Sequence, residues 1–197
     1  MKTVRFWLDF PSAYTYLAAL RVPDLERRFR VRFEWSVVSL PHVFRAIAYP
    51  PPMTQTAKWR YAMLDWHRCC EDAGLPHREP ENLPVDAKPA RLAFWGLHRR
   101  DPAMAAAFAR HVFAAHWGQG RDIGSFAALA AASEPLGITA ADLEGAAATP
   151  QARDALLRET QAAVEAGVFG APFFLLDGEP FWGADRLDAL CRRLEPA

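Results

Sequence analysis

Pro172 stands at the head of an apolar run, in Gly167-Val168-Phe169-Gly170-Ala171-Pro172-Phe173-Phe174-Leu175-Leu176, and its placement restricts the fold more than any other feature of the chain. Asp177-Gly178 separates that run from Pro180-Phe181-Trp182. Asp-Gly between apolar runs signals a hairpin, because glycine supplies the positive φ of a tight turn. Gly183-Ala184-Asp185-Arg186 then opens a helix. A proline donates no ladder hydrogen bond, so within a sheet it is confined to a strand start, a bulge or an edge. Pro172 therefore implies a special backbone geometry, and a cis Ala171–Pro172 bond is expected. That geometry turns the Ala171 N–H and C=O outward, where an extended peptide can pair with them. The first N–H groups of the helix opening at Gly183 favour a carboxylate, and Asp185 offers an acceptor to an ammonium group. One hairpin thus suits a small zwitterionic peptide, although a plain hairpin with an aspartate cap would use the same residues.

The chain begins with a second apolar run, Thr3 to Phe10, which reads as a buried strand. Ser12 follows at once, where the strand gives way to a helix running from Tyr14 to about Phe29. A hydroxyl there caps the helix and points, with the helix dipole, above the carboxyl end of the strand. Val31 to Val38 alternates apolar and polar residues, a second strand. Strand, helix, strand is a parallel βαβ unit. Completed by the C-terminal hairpin and helix, it gives an α/β architecture of thioredoxin-like type, β-α-β followed much later by β-β-α around a four-stranded mixed sheet. The section between reads as helix: Val43 to Ile47, Ala57 to Ala73, Ala90 to His98 and Ala103 to Trp117, then helices begun at Ser125, at Thr139 with its capping-box pattern, and at Thr149-Pro150. The expected division is a discontinuous thioredoxin-like domain, residues 1–45 and 161–197, and an all-helical insertion, residues 46–160.

Composition removes other classes of partner. The 197 residues carry 23 basic and 23 acidic side chains for a formal net charge of +0, so nothing electrostatic recommends nucleic acid or an anionic membrane. No apolar run approaches a membrane span, and Asp9 and Pro11 interrupt any signal-peptide core, so a cytoplasmic protein is expected. Cys69, Cys70 and Cys191 leave one cysteine over in any pairing and form no Cys-x-x-Cys, which fits a reducing compartment. No metal site is expected: His111 and His116 lie on different helix faces, and Cys69, Cys70 and His67 have no ligand spacing.

Asp9-Phe10-Pro11-Ser12-Ala13-Tyr14-Thr15-Tyr16-Leu17, the Lys58 to Arg68 segment, Gly74-Leu75-Pro76, Gly120-Arg121-Asp122-Ile123, and Gly167 to Pro172 through Phe181 to Leu187 resemble the 2-hydroxychromene-2-carboxylate isomerases. These are relatives of kappa-class glutathione transferases and, more distantly, of DsbA-type oxidoreductases. The resemblance runs from the first strand to the last helix. It implies glutathione as cofactor and Ser12 beside the glutathione sulfur. It further implies that Ala171, Pro172 and Gly183 hold the cofactor's backbone, that Asp185 and Arg186 lie near its γ-glutamyl end, and that the protein is a homodimer. Where this chain has Ala13 and Tyr49, family members commonly have proline and asparagine, and they commonly place another asparagine near Asp86.

The implied chemistry follows from the thiol. A free thiol titrates at about pKa 8.5, and a helix N-terminus with a hydroxyl donor lowers that by stabilising the thiolate. Ser12 is then a donor to sulfur and not a nucleophile. Reversible addition to an aromatic 2-oxo acid, or to its cyclic hemiketal, makes a double bond rotatable and returns the cofactor unchanged. The substrate carboxylate needs a cation, for which Arg45, Lys58 and Arg91 are candidates, with Tyr49 in the adjoining loop. Trp59, Trp66, Phe94, Trp95 and Trp117 either line a flat aromatic pocket or form core. Two other functions fit the same pattern: conjugation of an electrophile by a kappa-like transferase, and a binding protein that kept the fold without the reaction.

Overall fold

The computed structural model describes residues 1–195. Its strands are β1 (Thr3–Leu8), β2 (Arg32–Val37), β3 (Phe173–Leu176) and β4 (Glu179–Trp182), in the sheet order β2-β1-β3-β4. β1 runs parallel to β2 and antiparallel to β3, and β3 pairs antiparallel with β4. This is the four-stranded mixed sheet of a thioredoxin-like fold. Asp177 and Gly178 both take positive φ, 50° and 87°, as a two-residue hairpin turn requires. Pro180 lies on the outer strand β4, where its missing N–H costs no ladder bond in the sheet interior.

α1 (Ala13–Phe29) joins the two parallel strands and continues through Pro23. α2 (Leu40–Ala46) follows β2, and α9 (Leu187–Leu194) ends the described chain. Between β2 and β3 also come α3 (Thr56–Asp72), α4 (Lys88–His98), α5 (Pro102–Phe113), α6 (Phe126–Ala132), α7 (Ala140–Ala147) and α8 (Pro150–Glu165). The caps anticipated at Ser125, Thr139 and Thr149 are formed, with a full capping box between Thr139 and Asp142. The helix expected to run unbroken to Trp117 instead leaves α-helical register after Phe113 and makes a π-helical turn, Ala114–Gly118.

Period-two alternation sorts the sheet residues onto two cores. Val4, Phe6 and Leu8 of β1 join Phe174 and Leu176 of β3 in the main core, which extends into α1, α3, α4 and α5. There the Phe6 ring stacks on Phe174 at 4.7 Å and meets Trp35 edge-on at 5.0 Å. Trp7 and Phe173 point to the opposite face, where Val38, Leu40, Phe44, Ala163 and Val168 cover them. Burying large aromatics on both faces fixes the register of β1, since a one-residue slip would exchange the two sets.

Candidate active site

β1 ends at Leu8, and four residues, 9–12, turn the chain into α1. Ser12 is the N-cap of that helix, and its Oγ accepts the Thr15 N–H at 3.3 Å. The same hydroxyl donates to the Ala171 carbonyl at 2.8 Å, across 159 residues of sequence. The Ala171–Pro172 bond is cis, as its place at the head of β3 implied, and a second cis bond lies at Leu83–Pro84. The Ala171 carbonyl faces Ser12 and, among the described residues, takes no partner in the sheet. Among the described residues the Ala171 N–H has no hydrogen-bond acceptor.

Gly183 donates its N–H to the Pro172 carbonyl at 2.9 Å, tying the end of β4 to the cis-proline loop. Its φ of 107° belongs to glycine, and a Cβ there would lie 2.3 Å from Asp185 Oδ1. Asp185 and Arg186 do not open the final α-helix directly. They occupy a short 3₁₀ turn, Ala184–Arg186, ahead of α9. Both are exposed, and Arg186 Nη2 donates to Asp185 Oδ2 at 2.8 Å.

The turn that carries Ser12 is anchored from below by a group that the sequence reading passed over. Asp9 is fully buried, and its carboxylate accepts four N–H groups. Phe10 N and Arg91 Nε donate to Oδ1 at 2.9 and 2.7 Å, and Leu40 N and Arg91 Nη2 donate to Oδ2, each at 2.9 Å. Arg91 is 7% exposed and fully engaged in this pair, so it is not available to a substrate carboxylate as expected. Burial alone would lower the pKa of its guanidinium, but the charge and hydrogen bonds of Asp9 outweigh that and leave it raised. The signal was present in the sequence: an acidic residue closing an apolar strand one step before a turn can stay charged only if something pairs with it.

On α3, Asp65 accepts a hydrogen bond from the Tyr14 hydroxyl at 2.7 Å, and the Cys69 thiol lies 3.9 Å from the same oxygen. Burial, with the bond to Asp65 and its charge, pushes the Tyr14 phenol well above its ordinary range. Burial first, and then Asp65, also raises the Cys69 thiol. Burial pushes Tyr16 up to about 12, and Tyr16 donates to the Pro76 carbonyl at 2.6 Å. These groups stay protonated at neutral pH and serve as donors.

Of the expected substrate cations, Arg45 lies exposed in the last turn of α2. Lys58 Nζ donates to the Tyr49 hydroxyl at 2.5 Å and sits 5.3 Å from the ring centroid. That hydrogen bond lowers the pKa of the half-buried Tyr49 phenol. Tyr49 and Ala171 both pack against the apolar cluster around Trp7 and Phe173. The aromatic pocket expected from the helices is largely core: Trp66, Phe94 and Trp117 are fully buried, and Trp95 donates its indole N–H to the Val37 carbonyl. A groove of about 960 Å³ follows β2 past Trp35, His98 and Arg110; Trp95 lines it, but Ser12, Ala171, Arg45, Tyr49, Lys58 and Arg91 do not. Among the described residues no group of three or more His, Cys, Asp or Glu is placed to hold a metal ion, and no helix is long and apolar enough to cross a membrane.

A four-stranded mixed sheet with a capping side chain at the first helix facing a cis-proline loop defines a thioredoxin-like protein of DsbA type. The model of the DSBA-like thioredoxin domain family matches residues 3–195. A 2-hydroxychromene-2-carboxylate isomerase of Pseudomonas putida is 31% identical over 188 residues, covering 93% of this chain and 90% of that protein. A solved 2-hydroxychromene-2-carboxylate isomerase superposes with a TM-score of 0.87 at 29% identity, over 98% of this chain and 94% of that one. Human glutathione S-transferase kappa 1 is 22% identical over 205 residues, 98% of this chain and 91% of that protein. The chain belongs to the 2-hydroxychromene-2-carboxylate isomerase family within the DSBA-like thioredoxin domains, and is an enzyme of isomerase type.

Proposed function

We propose that this protein is a glutathione-dependent isomerase acting on aromatic 2-oxo acids, of the type that interconverts 2-hydroxychromene-2-carboxylate and trans-o-hydroxybenzylidenepyruvate. The observation that carries the proposal is the Ser12 hydroxyl at the N-terminus of a 17-residue helix, 2.8 Å from the carbonyl that precedes a cis-proline. The residues present fit glutathione. The Ala171 N–H lacks an acceptor among the described residues, and the Gly183 backbone leaves no room for a Cβ beside Asp185. Asp185 and Arg186 provide one acid and one base for a zwitterion. When bound, glutathione would supply a thiol able to add reversibly to an electrophilic carbon.

The chain's own contribution is positioning and electrostatics. The free N–H groups and dipole of α1 favour negative charge at its N-terminus, and the Ser12 hydroxyl at the cap is a rotatable donor that can turn toward a sulfur. Arg45 and the Lys58–Tyr49 pair are the remaining candidates to hold the substrate carboxylate, now that Arg91 is committed to Asp9. In this reading residues 1–45 and 161–197 form the thioredoxin-like unit, residues 46–160 the helical insertion, and two copies associate. Residues 196–197 lie outside the described part of the chain.

The test is calorimetric titration of reduced glutathione into wild type and Ser12→Ala, with the pKa of the bound thiol followed by thiolate absorbance. Wild type is expected to bind and to lower the thiol pKa, and Ser12→Ala to bind while leaving it near that of free glutathione. Absence of binding to wild type would refute the cofactor assignment. Turnover of aromatic 2-oxo acids without consumption of glutathione supports isomerisation, whereas a stable adduct would place the protein with the kappa-class transferases.

A further inference from the structure

We propose that Arg91 and Trp117 are positioning residues for Ser12: from the helical segment between β2 and β3, they hold the turn that sets the hydroxyl against Ala171. The inference rests on the reading of Ser12 given above, and its geometric basis is independent of it. Residues 9–12 are a short link, and the N–H groups of Phe10 and Ser12 are both assigned within it. Phe10 N donates to the Asp9 carboxylate at 2.9 Å, Pro11 has no N–H, and Ser12 N donates to the Asp9 carbonyl at 3.1 Å. Among the described residues, two side chains hydrogen-bond to this link from outside, while Phe108 and Phe113 pack on the Phe10 ring. Arg91 of α4 supplies two of the four hydrogen bonds to the Asp9 carboxylate, and its guanidinium is the cation paired with it. Trp117 donates its indole N–H to the Phe10 carbonyl at 2.9 Å.

Both contacts are dry and stiff. Asp9 and Trp117 are fully buried, and the Trp117 ring packs edge-on against Trp66 at 5.2 Å. A planar guanidinium that binds a carboxylate through two N–H groups fixes orientation as well as distance. Trp117 sits in the π-helical turn Ala114–Gly118, and such turns recur at functional sites because the extra residue re-aims the side chains around it. Arg91 and Trp117 bond to Asp9 and Phe10 and not to Ser12, so any influence on its hydroxyl passes through the main chain of residues 9–12. A hydroxyl serving a developing charge must be held to within about 0.5 Å. A merely structural role would change stability and leave Ser12 where it is.

The test uses Trp117→Phe, which keeps a ring and removes the N–H, and Arg91→Lys, which keeps the charge and removes the fork. Crystal structures of both free variants are compared with wild type. The Ser12 Oγ to Ala171 O contact is expected to lengthen beyond hydrogen-bonding distance or to be lost to another rotamer. With reduced glutathione, each variant is expected to raise the bound-thiol pKa by roughly half or more of the Ser12→Ala shift, and to add nothing in a Ser12→Ala background. A Ser12–Ala171 contact retained in both variants would overturn the inference, whatever glutathione does. An equal pKa shift with and without Ser12 would overturn it as well. Failure of wild type to bind glutathione refutes the cofactor assignment, and the crystallographic comparison then decides the positioning role alone.

Discussion

Removing the Arg91 guanidinium should be among the most destabilising single changes in this chain. Arg91→Met keeps the apolar stem and deletes the partner of a carboxylate that is fully buried. Two of the four hydrogen bonds to Asp9 disappear, and the two main-chain donors that remain, Phe10 N and Leu40 N, carry no formal charge. Breaking a buried pair from one side costs about 3–5 kcal/mol, because the remaining charge is stranded in a poorly polarisable interior. For a domain of this size, 1 kcal/mol corresponds to about 2–4 °C in melting temperature, so a fall of roughly 6–20 °C is expected. Urea unfolding by linear extrapolation, with thermal melts alongside, measures it. Adding Asp9→Asn to Arg91→Met should recover part of the loss, since no buried charge is then left. A cost below about 1 kcal/mol, or no recovery in the double variant, would refute the claim that charge burial and not packing sets the size of the effect.

Gly183→Ala should cost about 1–3 kcal/mol through backbone strain at a φ of 107° and should weaken glutathione binding, read by urea unfolding and calorimetry; unchanged affinity would remove Gly183 from the cofactor site. Lys58→Met should raise KM for an aromatic 2-oxo acid about tenfold or more and leave glutathione affinity intact, as expected for a charged hydrogen-bond donor facing substrate; an unchanged KM would exclude Lys58. Burial lowers the pKa of His116, against the opposing effect of its hydrogen bond with the Arg121 carbonyl. The unfolded chain therefore takes up this proton first as pH falls. The contribution of His116 to stability is present above about pH 6.5 and is lost progressively below it. Stability measured from pH 7.5 to 5 should fall less steeply in His116→Gln than in wild type, and equal slopes would show that His116 does not contribute.

What was legible in the sequence was local. The Asp177-Gly178 turn, the proline at the head of β3, the capping serine after β1 and the capping box at Thr139 each declare themselves within a few residues, and each is found in the structure. What was not legible depends on residues far apart in the chain. Arg91 reads as one more helix-surface arginine until α4 is packed, 82 residues from the carboxylate it serves. The same holds for Trp66 and Trp117, whose helical spacing fits a pocket wall as well as a core. The π-helical turn has no compositional mark, since Ala114-Ala115-His116-Trp117 satisfies α-helical periodicity equally well. The partners it meets in the fold lie far off in sequence, such as the Phe10 carbonyl that accepts from Trp117 and the Arg78 N–H that donates to the Trp117 carbonyl.

The Ser12 hydroxyl has a single proton, and in the free protein it is donated in a hydrogen bond to the Ala171 carbonyl. The oxygen already accepts the Thr15 N–H, so orientation toward Ala171 keeps both of its hydrogen-bonding roles in use. Donation to a sulfur at the helix N-terminus would mean releasing Ala171, exchanging a neutral acceptor for a charged one. Neutral hydrogen bonds contribute about 1 kcal/mol and those to charged groups about 1.5–3 kcal/mol, so the exchange is favourable only when the sulfur is ionised. On the proposed function the hydroxyl would discriminate between thiolate and thiol, which is the property that lowers a pKa. The carbonyl it released would be free at the same moment to accept an N–H from the ligand's own backbone. On that proposal binding of the peptide and ionisation of its thiol would be coupled through one serine, and alanine at position 12 would separate them.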